Sequence, residues 1–282
     1  MQNRFVFTVF SLLFTLTTWA QMNVPDFSPE GKLSQKVGYT NINIRYGRPA
    51  LRGRKFFGDL VPFDSLWRTG AGKCTTIQFD QPVWINKQKI NTGTYALLSI
   101  PGEKEWTLLL NTDTSKVYGA PYEYDVKTEA ARFTTIPKSS DRLYESLTID
   151  LDMKNFEAYL YLSWENTTVS FVIHTNTDEE VDQHIKTLLA KNPNDPEVLG
   201  FIGYYNKMNQ KDLHEVLRYL DRALAIQEDN WYYREKVETL LVLNRNVEAK
   251  QTIESAIRFL KKTKQEHWQE RVSSFEEMKK KL

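Results

Sequence analysis

One cysteine and four histidines are all that 282 residues supply of thiol and imidazole ligands. A single thiol cannot build a disulfide framework or a Cys-rich zinc module. His174, His184, His214 and His267 form no His-x-x-x-His pair, so neither a metal nor any other cofactor is expected. Charge of one sign is lacking too: 37 Lys+Arg stand against 36 Asp+Glu, for a net +1. Bulk charge therefore excludes a strongly basic nucleic-acid binder. There is no Gly-x-Ser-x-Gly elbow and no phosphate-cradling Gly-rich loop ahead of a helix. A mean hydropathy of −0.51 with 41% hydrophobic residues excludes a multi-span membrane protein and a disordered chain.

What is present begins with an export signal. Arg4 supplies the positive start, Phe5 to Leu16 is mostly apolar, and Thr17-Thr18-Trp19-Ala20 offers small residues before a cut ahead of Gln21. The apolar run is shorter than the roughly 18–20 residues that span a bilayer. No cysteine lies near the cut, which disfavours a lipid anchor; an uncleaved membrane anchor is the alternative. Removing residues 1–20 leaves 36 basic against 36 acidic residues. The expected mature protein is neutral and exported, periplasmic or extracellular, with no membrane span.

Composition divides the remainder near residue 176. All Gly and Pro except Gly200, Gly203, Pro193 and Pro196 come before that point, predicting many turns first and long helices afterwards. Residues 21–175 read as antiparallel β. In Tyr39 to Tyr46, Thr40, Ile42, Ile44 and Tyr46 alternate with Asn41, Asn43 and Arg45. Val83-Trp84-Ile85 and Ile90 suggest a hairpin, and Thr94 to Ile100 and Trp106 to Leu110 flank a Pro101-Gly102 type II turn signal. Thr75 to Phe79, Leu147 to Leu151, Phe156 to Trp164 and Val169 to Ile173 add further strands. Short strands with Gly/Pro turns predict a sandwich or a barrel.

Residues 176–282 read as helical hairpins. Val216, Leu220 and Ala223 align with Ala249, Ile253 and Ala256 at a constant offset of 33, a period of tetratricopeptide or ankyrin length, and no ankyrin Thr-Pro-Leu-His signature is present. The second unit is degenerate, because Lys236 aligns with the small Gly203. Tyr204, Tyr205, Tyr232 and Tyr233 are expected to fill the inter-repeat core, or else to line a binding surface. The overall expectation is α+β in two domains.

A family resemblance rests on closely placed motifs. They are Tyr46-Gly47-Arg48-Pro49, Arg52-Gly53-Arg54, Phe57-Gly58-Asp59-Leu60-Val61-Pro62-Phe63 and Trp67-Arg68-Thr69-Gly70-Ala71. Gly93-Thr94-Tyr95, Ile100-Pro101-Gly102 and Glu105-Trp106-Thr107 follow. Over about residues 26–174 the chain resembles a bacterial exported family known as domain of unknown function 2911. The resemblance implies a β-sandwich-like domain in the cell envelope or outside the cell, sometimes followed by tetratricopeptide-like repeats. It implies no activity, so no catalytic residue is carried over.

The segment 45–68 concentrates Arg45, Arg48, Arg52, Arg54, Lys55 and Arg68 against Asp59 and Asp64, a local +4. Guanidinium groups fork onto carboxylates and phosphates. Arg48, Arg52, Arg54 and Arg68, with Trp67 among them, are thus candidates for an anionic small molecule, glycan or peptide. The structural alternative has Arg48 and Arg68 pairing with Asp59 or Asp64 and stapling a long loop. A second candidate is the aromatic loop of Tyr118, Tyr122 and Tyr124, whose rings stack on a sugar or pack on a sheet edge. Asp150 and Asp152 share a strand face, where solvated carboxylates are the ordinary reading. Cys74 reads as a buried apolar residue. The expectation is a non-enzymatic exported binding protein with a helical module for protein contact and no nucleic-acid partner. A cell-envelope hydrolase and a ligand-free structural adaptor are the alternatives.

Overall fold

A computed structural model describes residues 25–115 and 124–282. The expected export signal lies outside them. The chain order is β1 (Glu30–Val37), β2 (Thr40–Gly47), β3 (Thr76–Phe79), β4 (Val83–Ile85), β5 (Gln88–Ile90), β6 (Gly93–Ile100), β7 (Trp106–Asn111), β8 (Glu129–Thr135), β9 (Lys138–Lys154) and β10 (Glu157–Thr175). Among the described residues these strands make two sheets, β1-β2-β3-β6-β7-β8 and β5-β4-β10-β9. The pairs are antiparallel throughout.

Alternation sets each strand's inner face. In β2, Thr40, Ile42, Ile44 and Tyr46 are buried and the residues between them are not. Ile42, Ile77, Leu97 and Leu108 of the larger sheet join Ile85, Leu160, Trp164 and Ile173 of the smaller one in a single core. Each such side chain removed from water stabilises the fold by about 1.5–3 kcal/mol.

β10 folds back on itself. Glu165 takes a φ of +52°, Ser163 Oγ lies 2.9 Å from Thr168 Oγ1, and His174 Nδ1 lies 2.8 Å from Glu157 Oε1. Its two halves therefore run side by side, as the separate runs at 156–164 and 169–173 predict. β1 and β8 were not expected. β1 is an edge strand with one buried residue, Val37, and β8 buries only Ala131 and Phe133, so both lie below the threshold of an apolar alternation. The Pro101-Gly102 turn also needs correction. Gly102 does not take the positive φ of a type II turn, and the chain instead crosses from β6 to β7 over Pro101 to Glu105.

Six helices follow among the described residues: α1 (Thr177–Lys191), α2 (Pro196–Met208), α3 (Leu213–Ile226), α4 (Asn230–Val242), α5 (Asn246–Thr263) and α6 (Trp268–Lys280). Asp195, Asp212 and Asp229 cap α2, α3 and α4 by accepting the amides of Glu197, His214 and Trp231 at 2.9, 2.9 and 2.7 Å. Val216, Leu220, Ala223, Ala249, Ile253 and Ala256, the residues of the 33-residue offset, are all 0% exposed. Lys236 occupies its unusual place by reaching Asp221 of α3 at 2.6 Å. No helix of the described residues is long and apolar enough to cross a membrane.

The β part meets the helices at two of its turns. The Tyr39 amide donates to Thr177 Oγ1 at 3.1 Å, and the Phe156 ring lies parallel to that of Tyr205 on α2. Tyr205 therefore faces the β part rather than the inter-repeat core. Tyr232 and Tyr233 are buried between helices, and Tyr204 packs on Trp231 with ring centres 5.5 Å apart.

Candidate functional site

The arginine-rich segment is stitched along β9. Leu147 donates its amide to Pro49 O at 3.0 Å, and the Leu51 amide donates to Glu145 O at 2.8 Å. Arg48 extends this seam: its Nε donates to Leu147 O at 3.0 Å and its Nη2 to Thr148 Oγ1 at 3.1 Å. Arg54 curls onto its own loop, donating to Leu51 O and Ala50 O, each at 2.9 Å. Arg52 takes a φ of +48° and reaches Phe27 O at 2.7 Å, with its guanidinium 4.7 Å above the Phe27 ring. Among the described residues no arginine of the segment pairs with Asp59 or Asp64. For Arg48 the Leu147 carbonyl and the Thr148 hydroxyl take the place expected of those carboxylates. The three side chains remain exposed while making these bonds.

Trp67 is committed to the interior. It is 8% exposed, and its Nε1 donates to Gly70 O at 3.1 Å. Its ring stacks on Trp164 at 5.8 Å and meets Phe57 and Trp106 edge-on. Phe56 closes the cluster against Trp164 at 3.6 Å, and its amide donates to Glu165 at the β10 bend. The loop is thus fixed by aromatic packing from inside and by arginines from outside.

Arg68 differs from the other three. It is half-buried, and its Nε is shielded from solvent with no hydrogen-bond acceptor among the described residues. Its carbonyl is occupied, by the Thr75 amide at 3.3 Å and the Cys74 thiol at 3.9 Å. Burial pushes the Cys74 thiol up to about 12, against the opposing pull of the Arg68 charge. The thiol stays protonated at neutral pH, so it neither neutralises Arg68 nor serves as a nucleophile.

Tyr118 and Tyr122 lie outside the described residues. Tyr124 is tied to β8: its hydroxyl donates to Glu129, which Arg132 holds at 2.9 Å. Burial and the Glu129 carboxylate raise the Tyr124 hydroxyl to about 12. The bond from Arg132 holds Glu129 below its ordinary value.

Two polar clusters escaped the sequence reading. Glu157 holds both His174 and Tyr159, the latter at 2.9 Å, on the open face of the smaller sheet. The i, i+2 spacing of Glu157, Tyr159 and Tyr161 was the available signal. Between helices, Lys207 Nζ of α2 lies 2.7 Å from Glu235 and 2.5 Å from Glu238 of α4. That pairing crosses 28 residues, and no short motif announces it. Among the described residues no group of three His, Cys, Asp or Glu could hold a metal ion.

Among the described residues, two antiparallel sheets on one core, followed by six helices, define a β-sandwich-like domain with a helical extension. Residues 28–173 match the model of the family described as Protein of unknown function (DUF2911), and the chain belongs to that family. No curated protein and no solved structure matches the chain.

Proposed function

We propose that this is an exported, non-enzymatic binding protein whose β domain takes an anionic ligand at Arg68. The shielded Arg68 Nε, without an acceptor among the described residues, carries the reading. A charged donor left without an acceptor costs about 1–3 kcal/mol or more, and Arg48, Arg52 and Arg54 already have acceptors. A carboxylate of a small molecule, glycan or peptide supplies the missing one, reaching the outer nitrogens while a small rotation of the side chain turns Nε toward it. Arg48, Arg52 and Arg54 hold the loop that presents Arg68. The helical part, read as tetratricopeptide-like, contributes protein contact. Its α2 leaves Phe201 59% and Met208 57% exposed on one face, which supports that role.

The test is a thermal-shift screen of the protein against acidic sugars, cell-wall fragments and carboxylate-bearing peptides. Ligand at 100 times its dissociation constant adds about 2.7 kcal/mol of stability. The shift is expected to vanish in Arg68→Met and to persist in Arg54→Met. A shift unchanged in Arg68→Met, or none with any anion, refutes the assignment.

A further inference from the structure

The open face of the smaller sheet carries two matched pairs. Tyr159 lies opposite Asp152 and Tyr161 opposite Asp150 across the β9–β10 ladder. Leu160, between the tyrosines, is 0% exposed, so both tyrosines and both aspartates stand on the solvent side. Tyr159 is held in place by Glu157, whose other oxygen meets His174. Asp150 and Asp152 are exposed, and each uses one oxygen to accept the amide of the next residue, at 2.9 and 2.8 Å. Among the described residues neither carboxylate is in an ion pair. One row along the sheet the sign reverses: Lys154 stands opposite Glu157, and on the far side Lys89 lies over Trp84, which is opposite His174.

We infer that this face binds an extended peptide segment bearing two cationic side chains two positions apart, of the form Arg-x-Arg or Lys-x-Lys. Each Tyr–Asp pair offers a ring face and a free carboxylate oxygen to one cation, joining a cation–π contact to an ion pair. The two pairs are two residues apart along a strand, about 6.8 Å. Alternate side chains of an extended peptide repeat at the same interval, so one segment fills both pairs. In the next row Lys154 stands beside Glu157, whose oxygens are taken by Tyr159 and His174, so a third cation is disfavoured there and the segment is bounded at that end. Acidic partners are repelled by Asp150 and Asp152. This face is separate from Arg68, so the two proposals fail independently.

The experiment titrates the full chain with labelled peptides Gly-Arg-Gly-Arg-Gly and Gly-Arg-Gly-Gly-Arg-Gly, and with cellohexaose as a neutral glycan. The first peptide is expected to bind, and the second, with its spacing broken, to bind several-fold more weakly. Asp150→Asn with Asp152→Asn is expected to weaken the first by about tenfold, about 1.4 kcal/mol. Raising salt from about 0.05 M to about 0.5 M weakens it further by screening. Tyr161→Ala, which leaves both charges in place, also weakens it, and gives a second reading should the double variant fold poorly. Overturning results are no binding of the first peptide, equal binding of both peptides, binding indifferent to the Asp and Tyr changes, or cellohexaose binding in their place.

Discussion

The rings of Phe156 and Tyr205 lie parallel, with centres 6.3 Å apart and planes within 13° of each other. One belongs to the turn between β9 and β10, the other to α2. Tyr205 also donates to Asp178 at 3.4 Å, and Lys211 lies 5.2 Å over its ring while pairing with Asp182. The stack thus anchors α1 and α2 to the β part. Phe156→Ala is expected to remove about 0.5–1.5 kcal/mol of aromatic contact. Hydrogen exchange should then quicken in α1 and α2 while β6 and β7 keep their protection. Unchanged exchange in the helices would show that the stack carries no coupling.

Gly38 makes the other junction. Its φ is +57°, and a side-chain carbon there would sit 2.0 Å from Thr177 Oγ1. Gly38→Ala therefore meets both backbone strain and a clash, and should cost about 2 kcal/mol or more. Urea unfolding measures this, and an unshifted midpoint contradicts it.

Arg48 is expected to behave as a clasp and not as a charge. Its Nε and Nη2 reach two acceptors on β9 at once, a geometry lysine cannot copy. Both Arg48→Ala and Arg48→Lys should lose about 1 kcal/mol of stability. Full rescue by lysine would make charge alone the relevant property.

The Lys207 clamp predicts a pH window. Burial opposes the Lys207 charge, but its bonds to Glu235 and Glu238 outweigh that, and its pKa is raised above 10.5. Burial likewise opposes the Glu238 charge, and Lys207 and Arg234 prevail, lowering it below 4.5. The Lys207 contribution is whole below its unfolded value and is lost as pH rises through the raised one. The Glu238 contribution is whole above its unfolded value and is lost as pH falls through the lowered one. Helix stability followed by circular dichroism should hold from about pH 5 to about pH 10 and decline on both sides. Lys207→Met, which strands Glu235 in the interior, should cost about 2 kcal/mol, less than a fully buried pair, and erase the alkaline decline.

Sequence pattern reported what burial dictates. β2 was legible because Ile42, Ile44 and Tyr46 need one face, and α3 and α5 because their packed residues repeat at 33. β1 was not, since its Lys32, Ser34 and Lys36 satisfy an edge strand with little apolar content. At the candidate site, the arginine concentration was visible but its acceptors were not. Main-chain carbonyls have no residue identity, so the bonds from Arg48 to Leu147 O and Arg54 to Leu51 O left no trace in the residue pattern. The Tyr–Asp pairs on β9 and β10 were hidden for another reason: register across a ladder is fixed by the turn at Asn155, not by either strand alone.

The seam between the arginine loop and β9 has a consequence for the order in which the chain can settle. Arg48 waits for a carbonyl 99 residues later, and Phe56 for a carboxylate 109 residues later. Contacts of such span close late, because so much loop entropy must be lost before they form. On the ribosome, Trp67, Phe56 and Phe57 emerge long before Trp164 arrives to cover them. The chain therefore passes through a stage at which this aromatic segment is complete and still uncovered, an apolar surface open to aggregation or to a chaperone.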